Sequence, residues 1–172
     1  MASFDFQPTL AGQLLSLRPL RADDFDALFA VGSDPLIWEQ HPASDRYKPE
    51  VFRTFFGEGL TSGGALIATD TKDGRVIGSS RFFGYNADES EIEIGWTFLA
   101  RQYWGGRYNG EMKDLMMRHA FRFVDHVVFL IGEENRRSRR AVEKIGGVFI
   151  GTRIDKYGRE RVAYRITAHR EK

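Results

Sequence analysis

The chain has no cysteine. That absence excludes disulfides, thiolate metal sites and a cysteine nucleophile, and it favours a cytoplasmic location. Nor does any apolar run approach the ~20 residues that a membrane-spanning helix requires, so no membrane partner is expected. The opening residues MASFDFQPTLAGQ lack a basic patch followed by an apolar run, so no secretory signal is expected there. The four histidines, His41, His119, His126 and His169, include no pair at metal-ligand spacing, and no metal is expected. A net charge of +1 supplies no broad positive field, which argues against a nucleic-acid partner. Linkers, repeats and low-complexity segments are absent as well.

What is present suits one soluble domain over residues 1–172, with residues 1–13 as a loose arm. The 172 residues are 42% hydrophobic and 28% charged, enough for one sizeable core. A first strand is expected over LLSLRPL (14–20), limited by Pro19. A helix opens at Arg21-Ala22-Asp23-Asp24, with Phe25, Leu28 and Phe29 at helical spacing. Residues 34–48 are irregular. A second helix begins at Pro49, turns Val51, Phe52, Phe55 and Phe56 inward, and is closed by Gly57, Gly59, Gly63 and Gly64. Strands follow at Ala65–Thr69, Arg75–Tyr85 and Glu91–Leu99, the first two joined by an Asp73-Gly74 turn. A long helix over Tyr108–Val124 carries Met112, Leu115, Met116, Ala120 and Phe123 on one face. Val127–Ile131 is a strand buried on both sides, and Asn135–Ile145 is a helix capped by Asn135 and ended by Gly146-Gly147. Val148–Ile154 and Arg159–Thr167 make a closing hairpin. The order β-α-α-β-β-β-α-β-α-β-β implies an α+β fold, a mixed sheet of about seven strands with about four helices on both faces.

The chemistry concentrates where the strand Glu91–Leu99 passes through a glycine-bearing loop into the long helix. A loop opening directly into a helix presents free N–H groups and the positive end of the dipole, which together make an anion site. Gly105-x-x-x-x-Gly110 imitates half of a P-loop. Glu111-Met112 stand where the lysine and hydroxyl would be, so a nucleotide triphosphatase is excluded. The dinucleotide pattern G-x-G-x-x-G is also absent.

Gln102-Tyr103-Trp104-Gly105-Gly106-Arg107 resembles the Q/R-x-x-G-x-G/A pyrophosphate loop of the GNAT superfamily of N-acetyltransferases, with Arg107 in place of the last small residue. The flanks carry the likeness further. Glu93-Ile94-Gly95-Trp96, Tyr103-Trp104-Gly105 and His119-Ala120-Phe121 are similar to the strand, loop entry and helix end of the ribosomal-protein N-terminal (Rim-type) branch. Asn135-Arg136-Arg137-Ser138 with Glu143-Lys144-Ile145-Gly146 resembles its late helix, and Leu17-Arg18-Pro19-Leu20 with Asp23-Asp24 its opening. The resemblance runs in order over residues 14–168. Gly147 stands where the family usually has phenylalanine.

The resemblance implies a GNAT fold and direct attack of an amine on acetyl-CoA in a ternary complex, with no acyl-enzyme. It implies that Trp104, Gly105, Gly106, Arg107, Tyr108, Asn109 and Gly110 hold the pyrophosphate, and that Trp96, Thr97, Phe98 and Leu99 pair with the pantetheine arm, which Asn135 also reaches. Arg107 either crowds the phosphates or adds a cation to them. Many family members protonate the leaving thiolate with a tyrosine near the end of the late helix. Val142 stands there in this chain, which leaves Ser138. Glu93 is the candidate proton relay from the amine, with Glu91 on the same strand face the weaker choice. Trp38, Glu39, His41 and Tyr47 lie in the segment that lines the acceptor pocket in the family; an ordinary loop is the alternative.

The cluster Arg136, Arg137, Arg139 and Arg140 suits a 3′-phosphate, an RNA backbone or a solvated helix face. His119 is expected as a hydrogen-bonded core residue. The acceptor is a primary amine, either a protein N-terminal α-amine or a small molecule, and a homodimer through the closing strands is compatible with the pattern. Two rivals remain: a non-catalytic acyl-CoA-binding module, and an RNA- or ribosome-associated protein.

Overall fold

The protein is described by a computed structural model over residues 3–170. In chain order the elements are β1 (Leu10–Ala11), β2 (Leu15–Pro19), α1 (Phe25–Gly32, entered by a tight turn at Ala22–Asp24), α2 (Pro49–Ser62) and β3 (Ala65–Asp70). They continue with β4 (Val76–Asn86), β5 (Glu91–Leu99), α3 (Arg107–Ala120), β6 (His126–Ile131), α4 (Arg136–Lys144), β7 (Val148–Ile154) and β8 (Glu160–Thr167). One eight-stranded sheet runs in the order β1-β2-β3-β4-β5-β6-β8-β7. Every neighbouring pair is antiparallel except β5 and β6, which are parallel and joined by the crossover helix α3. The expected α+β architecture holds, with one strand more than the spacing suggested.

The extra strand comes from the N-terminal segment, which was expected as a loose arm and is instead fastened. Phe4 is only 5% exposed and packs edge-on against Phe82. The buried His119 ring donates through Nε2 to the Asp5 carbonyl at 2.7 Å. Glu111 then accepts from the N–H groups of Gln13, Leu14 and Leu15 at 2.8, 2.8 and 2.9 Å. One carboxylate on α3 thus satisfies three donors at the start of β2.

Each face of the sheet has its own core. Met112, Met116 and Ala120 of α3 and Val142 of α4 pack with Leu15, Leu66, Ile92 and Val127 on one side. Leu28 of α1 and Phe52, Phe55 and Phe56 of α2 pack with Trp38, Ile67 and Phe98 on the other. Gly57 and Gly59 do not end α2; they lie within it, and Gly63, at φ +72°, supplies the left-handed residue that does. Helix α4 ends in a Schellman pair, Gly146 N–H to Glu143 C=O and Gly147 N–H to Val142 C=O at 3.1 and 2.9 Å. A Cβ on Gly147 would fall 2.4 Å from Val142 Cγ1, so the departure at 147 is matched to the valine at 142. The edge strand β7 leaves Val148, Phe149 and Ile154 between 54% and 64% exposed.

Candidate active site

The parallel ladder between β5 and β6 covers only Glu91–His126, Ile92–Val127 and Glu93–Val128. Past Glu93 the two strands part. The reason lies on the other edge of β5, where the register against β4 moves from Arg81–Gly95 to Ser79–Phe98. Trp96 and Thr97 therefore oppose Ser80 alone, and Trp96 sits at φ +53°. A bulge of this kind bends its strand, and here it opens β5 away from β6. The gap widens into a cleft of about 1490 Å³ that reaches the N-terminal ends of α3 and α4 and the irregular 34–48 segment.

The loop into α3 has its glycines where conformation requires them. Gly105 and Gly106 sit at φ +112° and +111°, and no atom lies within 4 Å of a Cβ placed on either. The requirement is one of backbone shape, not space. Gly110 N–H donates to the Gly106 carbonyl at 2.7 Å. The N–H groups of Arg107, Tyr108 and Asn109 precede the first intrahelical donors and are free for an anion. The Trp104 indole donates to the Leu99 carbonyl at 3.0 Å, and the Arg137 guanidinium lies 3.8 Å from its ring centroid. The end of β5, the loop and α4 are thereby locked together.

The structure brings most of the expected site residues to this cleft. Trp96, Thr97, Phe98 and Leu99 line its β5 wall, with Glu93 at the inner end. Trp104, Gly105, Gly106, Asn109 and Gly110 form the α3 end, and Asn135 and Ser138 the α4 end. Trp38, Glu39 and His41 border the far side. Three residues do not line it. The Arg107 side chain is exposed outside the cleft. Tyr108 turns back onto Tyr103, ring centroids 4.7 Å apart, and packs on the core. Tyr47 packs against the α1–α2 core instead. What Arg107 and Tyr108 can offer is their main-chain N–H groups, which belong to the first turn of α3 and have no intrahelical acceptor. The arginine cluster divides in the same way: Arg136, Arg137 and Arg140 border the cleft, while Arg139 turns to the Tyr164 hydroxyl and the Glu133 carbonyl.

Burial sets the ionisation of the site. Glu91 is tied to Arg153 at 2.5 Å and Arg165 at 3.5 Å, which makes it a structural anion. Glu93, two residues on, has no ion pair among the described residues. Burial, and then the nearby Asp155, push its carboxyl up to about 7 against the opposing pull of Arg81. His41 is pushed down to about 3 by burial and by Arg46, Arg161 and Arg137, so it stays neutral; its Nδ1 accepts from the Ala43 N–H at 2.9 Å. Asn135 accepts from the Ser138 N–H at 3.4 Å, so its side chain caps α4 while bordering the cleft.

One further residue at the site escaped sequence reasoning. Lys113 is buried under the gap, where Nζ donates to Thr97 Oγ1, itself 2.8 Å from Ser80 Oγ. Its ammonium lies 5.3 Å from the Phe129 ring centroid, and no carboxylate pairs with it among the described residues. Burial alone pushes it down to about 7. The signal was available: Lys113 stands three residues before Met116 and seven before Ala120, on the apolar stripe. In that arrangement a carboxyl and an amine, each shifted toward neutrality by burial, line one cleft.

Comparison with known proteins gives the same family as the loop. The family model described as Acetyltransferase (GNAT) domain matches residues 15–148. No curated protein sequence matches the chain. Among solved structures, the acetyltransferase from Agrobacterium tumefaciens str. C58 is 23% identical, with a TM-score of 0.73 and 98% of each chain covered. The acetyltransferase (GNAT family) from Bacillus anthracis is 18% identical, with a TM-score of 0.75 over 93% of this chain and 98% of that one. Mycobacterium smegmatis RimJ in complex with CoA-disulfide is 19% identical, with a TM-score of 0.65 over 90% of this chain and 82% of that one. The chain belongs to the GNAT family of acetyl-CoA-dependent N-acetyltransferases, with a fold like that of RimJ.

Proposed function

We propose that this cleft holds acetyl-CoA between the start of α3 and the gap beside β5, and that the chain acetylates a primary amine by direct attack. The observation that carries this reading is the parting of β5 from β6 beside a helix begun by two positive-φ glycines. The residues fit such a group. The free N–H groups of Arg107, Tyr108 and Asn109 suit a pyrophosphate, as does the positive end of α3. Arg136, Arg137 and Arg140 stand near enough to take a further phosphate. The edge of β5 released from β6, from Trp96 to Leu99, offers main-chain partners to an extended amide chain. Bound there, acetyl-CoA supplies an acyl group activated as a thioester.

The protein's own residues do the proton work. Glu93, ionised above its raised pKa, takes the proton from the incoming amine directly or through water. The new C–N bond forms as the C–S bond breaks, and the departing sulfur receives a proton from the Ser138 hydroxyl or the Lys113 ammonium. Lys113 is the stronger acid of the two, because its pKa lies near neutrality and a serine hydroxyl's does not. A homodimer, if formed, would use the exposed apolar edge of β7.

Thiol release from acetyl-CoA tests the reading. Release is expected to depend on an added primary amine, and to fall about tenfold to a hundredfold in Lys113→Met but only a few-fold in Ser138→Ala. Thiol release that is the same with and without amine contradicts acetyl transfer, and a deeper loss in Ser138→Ala than in Lys113→Met reverses the assignment of the acid. Binding of acetyl-CoA without turnover of any amine would favour the non-catalytic binding module.

A further inference from the structure

We infer that the acceptor amine carries a carboxylate, seated against the Arg46 guanidinium at the end of the cleft away from α3. This inference rests on the reading of the cleft as the acetyl-transfer site and adds the class of acceptor to it.

Two guanidinium groups lie near the Phe55 ring without an anion. Arg46, from the irregular segment before α2, has its guanidinium carbon 4.3 Å from the Phe55 ring centroid and 5.2 Å from that of Trp38. It borders the cleft, yet its Nη1 is cut off from solvent with no hydrogen-bond partner. Arg81 of β4 is 2% exposed and lies 4.4 Å from the Trp96 centroid and 5.6 Å from that of Phe55; its Nε and Nη1 also have no partner. Space for it is provided by Gly59 inside α2, whose missing Cβ would come within 3.3 Å of the guanidinium. Neither arginine forms an ion pair among the described residues.

Two of the acidic groups nearby are already engaged, and Asp45, whose charge also acts on Arg46, forms no ion pair with it among the described residues. Glu58 accepts from the Tyr157 hydroxyl at 2.8 Å. Asp155 is paired with Arg161 at 3.1 Å and accepts from the Tyr157 and Arg159 N–H groups. Glu93 is half-protonated near neutral pH. Burial pushes Arg46 down to about 10, with the charge of Arg81 adding to the effect, and burial likewise lowers Arg81.

Buried cations and buried unpartnered N–H groups are costly to keep. Aromatic faces stabilise a guanidinium but leave its in-plane donors open. An anion arriving with the substrate meets the Arg46 guanidinium where it borders the cleft and is attracted by Arg81 from behind the Phe55–Trp96 wall. A single carboxylate matches the planar guanidinium. A phosphate dianion would meet Glu93, Glu58 and Asp155 on the same walls. Polyamines and aminoglycosides would bring further positive charge toward two uncompensated cations and are disfavoured.

Two sources carry the required group: a free amino acid, and a peptide N-terminus with an acidic side chain close to its α-amine. The test uses the protein saturated with CoA and titrated calorimetrically, and the same compounds in the acetyl-transfer assay. Free amino acids are compared with their carboxamides, and C-terminally amidated dipeptides with Asp or Glu second are compared with their amidated Asn or Gln counterparts; spermidine is included. The carboxylate member of at least one pair is expected to bind, and to show a KM lower by about tenfold or more. Arg46→Gln should shrink that advantage to about twofold or less, with the CoA affinity unchanged and Arg46→Lys intermediate. Which pair responds tells the free amino acid from the peptide. Equal or better use of carboxamides or spermidine overturns the inference. So does a carboxylate preference that survives Arg46→Gln in a protein shown to be folded by its melting curve, and so does failure of every carboxylate to bind the CoA complex at millimolar concentration. Failure to bind CoA at all would instead overturn the reading of the cleft itself.

Discussion

Glu93→Gln is expected to lower kcat by about a hundredfold to a thousandfold with acetyl-CoA affinity unchanged, as befits loss of a positioned general base. The pH profile carries the diagnosis. Burial holds the Glu93 carboxyl up to about 7, so only above that pH is it ionised and able to take a proton. Activity of the unaltered enzyme should therefore rise as pH approaches 7 and fall again above it as the Lys113 ammonium is lost, and the rising limb should vanish in the variant. The stability effect has the opposite sense. The unfolded chain ionises Glu93 near 4.5 and the folded one near 7, so the folded state binds more protons between those values. Stability from this group is lost as pH rises across that window, and above 7 the ionised side chain costs about 3 kcal/mol. The variant should accordingly gain stability over the unaltered protein at pH 8 and not at pH 4. A variant that keeps full activity and an unchanged pH limb removes Glu93 from the mechanism.

Lys113→Met should raise the melting temperature at neutral pH by roughly 3–10 °C, from about 1–4 kcal/mol of added stability. The amine is buried with a hydroxyl for a partner and no counter-charge. Its folded pKa of about 7 lies below the 10.5 of a free lysine, so the unfolded chain binds more protons between these values. Stability then increases with pH in that range. The gain from methionine should be full below pH 7 and fade toward pH 10. Methionine has nearly the same reach and leaves Thr97 bonded to Ser80. A lysine that weakens the fold and whose loss slows acetyl transfer is there for chemistry. A melting temperature lowered by methionine would show that the Lys113–Thr97 contact stabilises the fold instead.

Much of this organisation was legible because local rules and the fold agree. Strand β5 begins and ends where alternation of Glu91, Ile92, Glu93 and Ile94 placed it, and α4 starts at its Asn135 cap and stops at Gly146. The site loop was legible because left-handed backbone demands glycine, as Gly105 and Gly106 show. What could not be read was long-range. The hydrogen bonds by which Glu111 and His119 fasten the N-terminal segment join residues more than 90 positions apart in sequence. The bulge at Trp96 has no residue signature, since tryptophan rarely adopts a positive φ. Nothing in the sequence marks Arg46 and Arg81 as enclosed; only the folded arrangement of Phe55, Trp38 and Trp96 shows it. Arg107 and Tyr108 were assigned to the cofactor through their main-chain N–H groups; whether the Arg107 side chain faces the cleft was not legible, and it is exposed outside it, while Tyr108 packs on Tyr103.

The central claim is that main-chain donors at the start of α3 grip the diphosphate of coenzyme A. Calorimetric titration of CoA into the protein and into Gly106→Val tests it most directly. Valine at φ +111° strains the turn that aims those donors, while no neighbouring atom would clash with it. Micromolar binding by the unaltered protein, weakened at least about tenfold in a variant that still melts cooperatively, is the expected result. No heat of binding, or equal affinity in both proteins, would contradict it.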